Sequence, residues 1–126
     1  MRLLLDSHVF LWWLTDDARL TSPVRQAIAN ASSVVHVSAA TCWELAIKIR
    51  LGRLDVCGAD LVEEIPANGF VELPISARHG VRAGELPRHH DDPFDRMLVA
   101  QAQAEDLTVV THDPALQKYE VRILAT

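Results

Sequence analysis

The chain has 126 residues, 49% of them hydrophobic and 23% charged, and its 12 basic residues against 17 acidic give a net charge of −5 with histidine neutral. That size suits one domain with its own core, the apolar fraction excludes a disordered chain, and 5 Gly with 6 Pro exclude a fibrous or low-complexity one. The acid excess argues against gripping nucleic acid by counterion release from phosphates, and against sitting on anionic lipid, since both want a basic face. In chain order, Arg2 to Leu5 is a short apolar run ending at Asp6 and predicts a buried strand. His8 to Leu14, rich in aromatic residues, predicts a helix. Ser22 followed by Pro23 reads as an N-cap with proline at the first helical position, and Val24, Ile28 and Ala31 then recur at helical spacing. Val34 to Val37 is a second strand, and Ser38 caps a helix that runs to Leu51 and stops at Gly52. Ala59 to Ile65 is a short amphipathic helix ended by Pro66 and the Asn68-Gly69 turn. Phe70 to Ile75 predicts a third strand, with Ser76 capping the helix behind it. His89 to Asp92 is polar and loop-like, and Asp92-Pro93 opens a long helix through Glu105. Leu107 to Thr111 is a β-branched strand bounded by His112-Asp113-Pro114, and Val121 to Leu124 is the last strand. Strands alternating with helices imply right-handed βαβ units and a mostly parallel sheet covered on both faces. The expectation is a three-layer α/β fold of four or five strands, one domain over residues 1–126.

Cys42 and Cys57 have no framework spacing, and the six histidines form no zinc-finger pattern, which suits reduced thiols in a cytoplasmic protein. Asp6 and His8 interrupt the apolar start and no small-residue cleavage site follows, so a secretion signal is not expected. No stretch approaches the roughly 18 apolar residues of a membrane span.

In an open α/β sheet, ligands bind in the crevice beyond the carboxyl ends of the strands. Asp6 directly follows the first strand, and Asp113 follows Thr111 with one residue between them. Each also fits a helix cap, Asp113 doubly so because proline follows it. Glu44 shares a helix face with Ala40, Ile47 and Leu51, inside an apolar stripe where an unpaired charge is costly. An ion pair with Lys48, four residues on, is the ordinary alternative. Against it stand Cys42, Trp43, Leu45, Ala46 and Ile49, which make this helix apolar nearly all round. Asp95 shares a face with Leu98, Val99 and Ala102; Asp92 and Asp95 resemble a capping box, with Asp92 the better cap and Asp95 the better ligand. Four converging carboxylates repel and call for a cation. Hard oxygen donors suit Mg²⁺ or Mn²⁺, one or two ions of which activate a water and offset charge in a phosphodiester displacement. Setting these four aside takes the 17 acidic residues to 13 against 12 basic ones, so nearly all the excess charge belongs to the expected site.

Leu3-Leu4-Leu5-Asp6-Ser7-His8, the segment from Ser38 to Lys48 around Glu44, the segment from Asp92 to Ala102 around Asp95, and Val109-Val110-Thr111-His112-Asp113 resemble PIN domains in order and spacing. Among these the chain is most similar to the bacterial VapC-type toxins of type II toxin–antitoxin systems, over a span from Arg2 to Asp113. The resemblance implies a single PIN domain that acts as an Mg²⁺- or Mn²⁺-dependent endoribonuclease. Asp6, Glu44 and Asp95 would be its principal metal-site acids and Asp113 a more variable fourth, with Ser7 and Thr111 as accompanying hydroxyls. It also implies a homodimer silenced by a cognate antitoxin, whose C-terminal segment covers the site.

Arg50, Arg53, Arg82, Arg88 and Arg96 are candidates for the RNA backbone path, or else solvated helix ends. His89-His90 beside Asp91-Asp92 is read as a flexible polar loop that at most touches substrate, rather than as a transition-metal site. His8 and His112 flank two of the acids and are weaker candidates for phosphate contact. Trp12 and Trp13 cannot share one helix face with each other, so either one is core and its neighbour serves a partner, or both pack between layers with Phe10. Two other readings compete. A receiver-type signalling domain wants an acidic pair after the first strand, a phosphoacceptor Asp after the third and a late strand-end lysine. Asp6 instead stands alone, no Asp follows the Phe70 strand, and Lys118 is not at a strand end. A catalytically silent PIN-fold binding module is disfavoured by the retention of all four acids.

Overall fold

The apolar run that opens the chain forms the centre of the sheet. In the computed structural model, which describes residues 1–126, the elements are β1 (Arg2–Leu5), α1 (Ser7–Leu14), α2 (Ser22–Ala29), β2 (Val34–Ser38), α3 (Ala39–Arg50), α4 (Leu61–Ala67), β3 (Val71–Leu73), α5 (Ala77–Glu85), α6 (Pro93–Glu105), β4 (Thr108–Thr111) and β5 (Ile123–Ala125). Leu3, Leu4 and Leu5 are all fully buried. Side chains alternate across a strand, so Leu3 and Leu5 join a core with Phe10, Val24, Val37 and Leu45, while Leu4 joins Leu98, Val99, Val109 and Leu116 on the other face. A strand apolar on both faces belongs in a parallel sheet with helices on either side. Here α1 to α4 supply one layer and α5 with α6 the other.

All five strands are parallel, in the order β3-β2-β1-β4-β5. The chain steps outward from β1 to β3 and then crosses to β4 on the opposite side of β1, which puts the topological switch point between β1 and β4. A crevice opens beyond the carboxyl ends of such a strand pair. Leu5 is in register with Val37 and Val110, and the Asp6 amide donates to the Val110 carbonyl at 3.0 Å. This order differs from the 2-1-3-4-5 order of receiver-type sheets, which removes that reading.

Several boundaries shift from the sequence expectation. Thr21, not Ser22, is the N-cap of α2, and its amide is bonded to the Thr126 hydroxyl at 3.0 Å. Pro66 lies inside α4 rather than ending it. The helix survives because proline forfeits one amide near the last turn, where Asn68 caps the Glu64 carbonyl at 2.7 Å. β3 is shorter than Phe70 to Ile75, since the Phe70 amide closes α4 on Ile65 and Pro74 has no amide for the ladder. β5 begins at Ile123 because the Val121 amide turns back to Tyr119, and a 3-10 turn over Pro114–Lys118 precedes it. Both tryptophans of α1 pack between layers. Trp12 is 6% exposed with His112 edge-on at 5.5 Å, and Trp13 stacks near Phe70 at 5.7 Å while its Nε1 donates to Asn68. The exposed tryptophan is Trp43 of α3, at 63%. No helix is long and apolar enough to cross a membrane.

Candidate metal centre

Asp6 does two things. As N-cap of α1 its Oδ1 accepts the Val9 amide at 2.8 Å, and its Oδ2 accepts the Thr111 hydroxyl at 2.5 Å. It is 4% exposed. Burial raises its pKa, and the hydrogen bonds from Thr111 and Val9 oppose that rise. The sequence leaves a cap and a site role both open for Asp6; Oδ1 makes the cap, and Oδ2 faces Thr111 at the strand ends. Ser7, the next residue, is buried beside it.

Thr111 links the two strand-end acids. Its Oγ1 donates to Asp6 and accepts the Asp113 amide at 3.0 Å. Asp113 caps the 3-10 turn by accepting the Ala115 amide on Oδ1 at 2.9 Å, which leaves its Oδ2 facing His90 Nε2 at 3.8 Å. Asp95 approaches from α6. Asp92 takes the cap of that helix, accepting the Phe94 and Asp95 amides, and so leaves the Asp95 carboxyl to the interior. His90 Nε2 lies 2.8 Å from Asp95 Oδ2. Burial raises the Asp95 pKa to about 6, helped by the charges of Asp92 and Glu44 and opposed by the hydrogen bond with His90.

Glu44 is 8% exposed on α3, and its charge raises the pKa of both Asp6 and Asp95, so three carboxylates share one electrostatic neighbourhood. The expected setting of Glu44 needs correcting. Ile47 and Leu51 are 37% and 60% exposed, so that face is not core, and Lys48 Nζ lies 3.1 Å from Glu44 Oε2. The ion pair argued against from the apolar sequence is present. Its cause is geometric, since α3 turns Trp43, Ile47 and Leu51 outward, with Trp43 edge-on to Phe94 of α6 at 5.3 Å.

One residue that sequence reasoning did not place there joins the group, and a second, Thr41, shares a helix face with Glu44. His90 brings an imidazole whose Nε2, with carboxylate oxygens of Asp95 and Asp113, forms a set of atoms all within 4.8 Å of one another. Its only sequence signal was a histidine just ahead of a helix whose first turn carries an inward acid. Thr41, 1% exposed, has an Oγ1 with no hydrogen-bond partner. It stands three residues before Glu44, on the same helix face. A buried orphan hydroxyl is rare, and ion-bound water is the kind of group that satisfies one. Carboxylate oxygens, one imidazole and an orphan hydroxyl fit a hard divalent ion such as Mg²⁺ or Mn²⁺.

The arginines divide. Arg96, a candidate for the RNA path or else a solvated helix end, has its guanidinium on the carbonyls of Ala83 at 2.9 Å, Leu86 at 3.0 Å and Pro87 at 3.0 Å, with His90 O at 3.4 Å. It clasps the α5–α6 connection and is not free for phosphate. Arg50, Arg53 and Arg88 are exposed and form no ion pair. Arg53 and Lys48 line a cavity of ≈ 490 Å³ that reaches Glu44 and Asp92. Arg82 bonds to Gln103 at 3.3 Å and lines a larger cavity, ≈ 730 Å³, that touches none of the four acids. His8 is exposed against Trp12, and His112 Nδ1 is engaged with the Thr126 carbonyl at 3.0 Å.

Known proteins resemble this chain in sequence and in fold. Residues 3–121 match the family model described as "PIN domain". The chain is 30% identical over 125 residues to "Ribonuclease VapC22" of Mycobacterium tuberculosis (strain ATCC 25618 / H37Rv), covering 92% of this chain and 90% of that protein. Among solved structures it is similar to VapBC2 from Rickettsia felis bound to a DNA fragment from their promoter, with a TM-score of 0.77, 13% identity, and 100% of this chain and 99% of that one covered. It is also similar to DNA-bound VapBC from Salmonella typhimurium, with a TM-score of 0.71, 18% identity, and coverage of 99% and 98%. At such low identity the two structures speak for the fold, while the family model and the mycobacterial relative carry the assignment. The chain belongs to the PIN domain family, in its VapC-type toxin branch.

Proposed function

We propose that this chain is a cytoplasmic, metal-dependent endoribonuclease, the toxin of a VapBC-type pair, built as one PIN domain over residues 1–126. The observation that carries it is the approach of Asp6, Glu44, Asp95 and Asp113 near the β1–β4 switch point, with Thr111 joining Asp6 to Asp113, His90 lying between Asp95 and Asp113, and the charge of Glu44 felt by Asp6 and Asp95. These four would hold Mg²⁺ or Mn²⁺. Bound there, such an ion would supply activation of a water towards an RNA phosphodiester and positive charge to offset what develops on it. The protein's own groups do the rest. Thr111 fixes the Asp6 carboxylate, the Val9 amide orients it, and Asp92 keeps the Asp95 carboxyl turned inward by taking the helix cap itself. Lys48 and Arg53 give the adjoining cavity a basic wall for backbone phosphates in a chain that is acidic as a whole.

The regulatory half of the proposal is a cognate antitoxin, and the assembly is a homodimer. Trp43 and Leu51, 63% and 60% exposed beside the acids, offer an apolar surface of the kind a covering protein segment would bury. The test incubates purified protein with structured RNAs, with and without Mg²⁺ or Mn²⁺, beside Asp6→Asn and Asp95→Asn. Ion-dependent cleavage lost in both variants is expected. Cleavage that survives both substitutions, or that ignores EDTA, overturns the assignment; ion binding without cleavage would mark a binding module.

A further inference from the structure

His90 lies in the connection between α5 and α6, outside every helix, yet its Nε2 is 2.8 Å from Asp95 Oδ2 and 3.8 Å from Asp113 Oδ2. Its side chain is 26% exposed, so the ring is neither core nor free in solvent. We propose, resting on the reading of this edge as a divalent-ion centre, that His90 is a nitrogen ligand of the ion and that the centre prefers Mn²⁺ to Mg²⁺.

The spacing supports ligation. Adjacent ligands of an octahedral ion, each roughly 2.1 Å from it, stand about 3 Å apart. The two distances from His90 Nε2 bracket that value. The chain around the ring is also held in place. Arg96 donates to the carbonyls of Ala83, Leu86, Pro87 and His90, and the Tyr119 hydroxyl donates to His90 O at 3.3 Å. A connection pinned at these points presents its imidazole in one position, which is how supporting residues make a ligand effective. Asp95 and Arg96 are consecutive on α6, so one helical turn both supplies a carboxylate and anchors the segment that returns His90 to it.

Charge favours the same role. A neutral imidazole adds a donor to four carboxylates without adding a fifth negative charge. Mg²⁺ favours oxygen and keeps its waters, whereas a first-row transition ion accepts imidazole readily, so a nitrogen in the set shifts the preference towards Mn²⁺. The opposing possibility is a histidinium that pairs with Asp95 and is displaced when the ion arrives. The two differ in one observable, a nitrogen bonded to the metal.

The experiment loads the full chain with Mn²⁺ and looks for directly bound ¹⁴N by pulsed EPR, with calorimetry for Mn²⁺ and Mg²⁺ separately. The variants are His90→Gln, His90→Asp and, as a control, His89→Gln, whose ring instead lies edge-on to Tyr119 at 5.1 Å. Circular dichroism checks that each is folded. The wild type and His89→Gln are expected to show one ¹⁴N coupling that both His90 variants lack. Mn²⁺ affinity should fall about 10–100-fold in His90→Gln, and His90→Asp should bind both ions with the Mn²⁺ preference reduced. Bound Mn²⁺ without nitrogen coupling in the wild type, or a coupling that persists in His90→Gln, overturns the proposal and leaves the centre standing. No Mn²⁺ binding at all overturns the centre and the proposal together.

Discussion

The acidic edge has two halves held in different ways. Asp6 and Asp113 stand at strand ends, and backbone amides fix one oxygen of each, Val9 on Asp6 and Ala115 on Asp113. Glu44 and Asp95 stand on helices, and side chains hold them, Lys48 on Glu44 and His90 on Asp95. A backbone clamp remains whatever binds, whereas a carboxylate held by a lysine or an imidazole can be given up to an ion. If the edge holds the proposed ion, the strand half would be a preformed seat, and the helix half would adjust to what the seat receives.

The sharpest way to break this contrast is to loosen the seat. Thr111→Val keeps the shape of the side chain but removes the hydroxyl that joins Asp6 Oδ2 to the Asp113 amide. A buried hydrogen bond to a charged group is worth about 1.5–3 kcal/mol, so urea unfolding should show a loss on that order. Ion affinity, followed by calorimetry, should drop by roughly 10–100-fold. An unchanged affinity would mean that the strand half is not the seat.

Proton linkage gives a second, milder test. The Asp95 pKa is raised from 3.8 to about 6, and that of Asp6 is raised as well. A carboxyl with a raised folded pKa binds more protons in the folded than in the unfolded state, so stability falls as pH rises through the window between the two values. Metal-free protein is thus expected to lose thermal stability from pH about 4 to about 6, with the slope reduced in Asp95→Asn. Ion binding must displace the same protons, so Mn²⁺ affinity should rise across that window. Melts in EDTA and in Mn²⁺ across pH measure both; a flat profile in EDTA would show that the helix half is not under this strain.

What the sequence disclosed follows the same division. The strand half was legible because its signals are local. Three buried leucines end at an acid, a β-branched run ends at Thr111, and Ser38, Ser76 and Asp92 announce their caps as the structure has them. The helix half depends on facts no local pattern carries. Trp43, Ile47 and Leu51 looked like core, but apolar type does not say which face a fold covers, and α3 turns them outward. His90 reaches the acids through the path of a connection that has no periodicity to read. Arg96 looks the same in sequence whether solvated or bonded to a row of carbonyls. β3 failed differently, since Pro74 was in plain view as a residue with no amide for a ladder.

The smallest expected effect belongs to Lys48, and it sharpens the comparison most finely. The Lys48–Glu44 pair is an i,i+4 contact with the lysine side chain 36% exposed, so Lys48→Met should change stability by less than about 0.5 kcal/mol. Methionine keeps the helical propensity and the apolar stem. If the lysine occupies a carboxylate that an ion would otherwise use, its removal frees Glu44 and Mn²⁺ affinity rises several-fold. RNA cleavage need not follow, because the same substitution takes a cation from the cavity wall. Calorimetry separates the two effects. Tighter ion binding with weaker RNA binding is the expected pair of results. Weaker ion binding would mean that Lys48 positions Glu44 for the ion rather than competing with it, and the helix half would then be as preformed as the strand half.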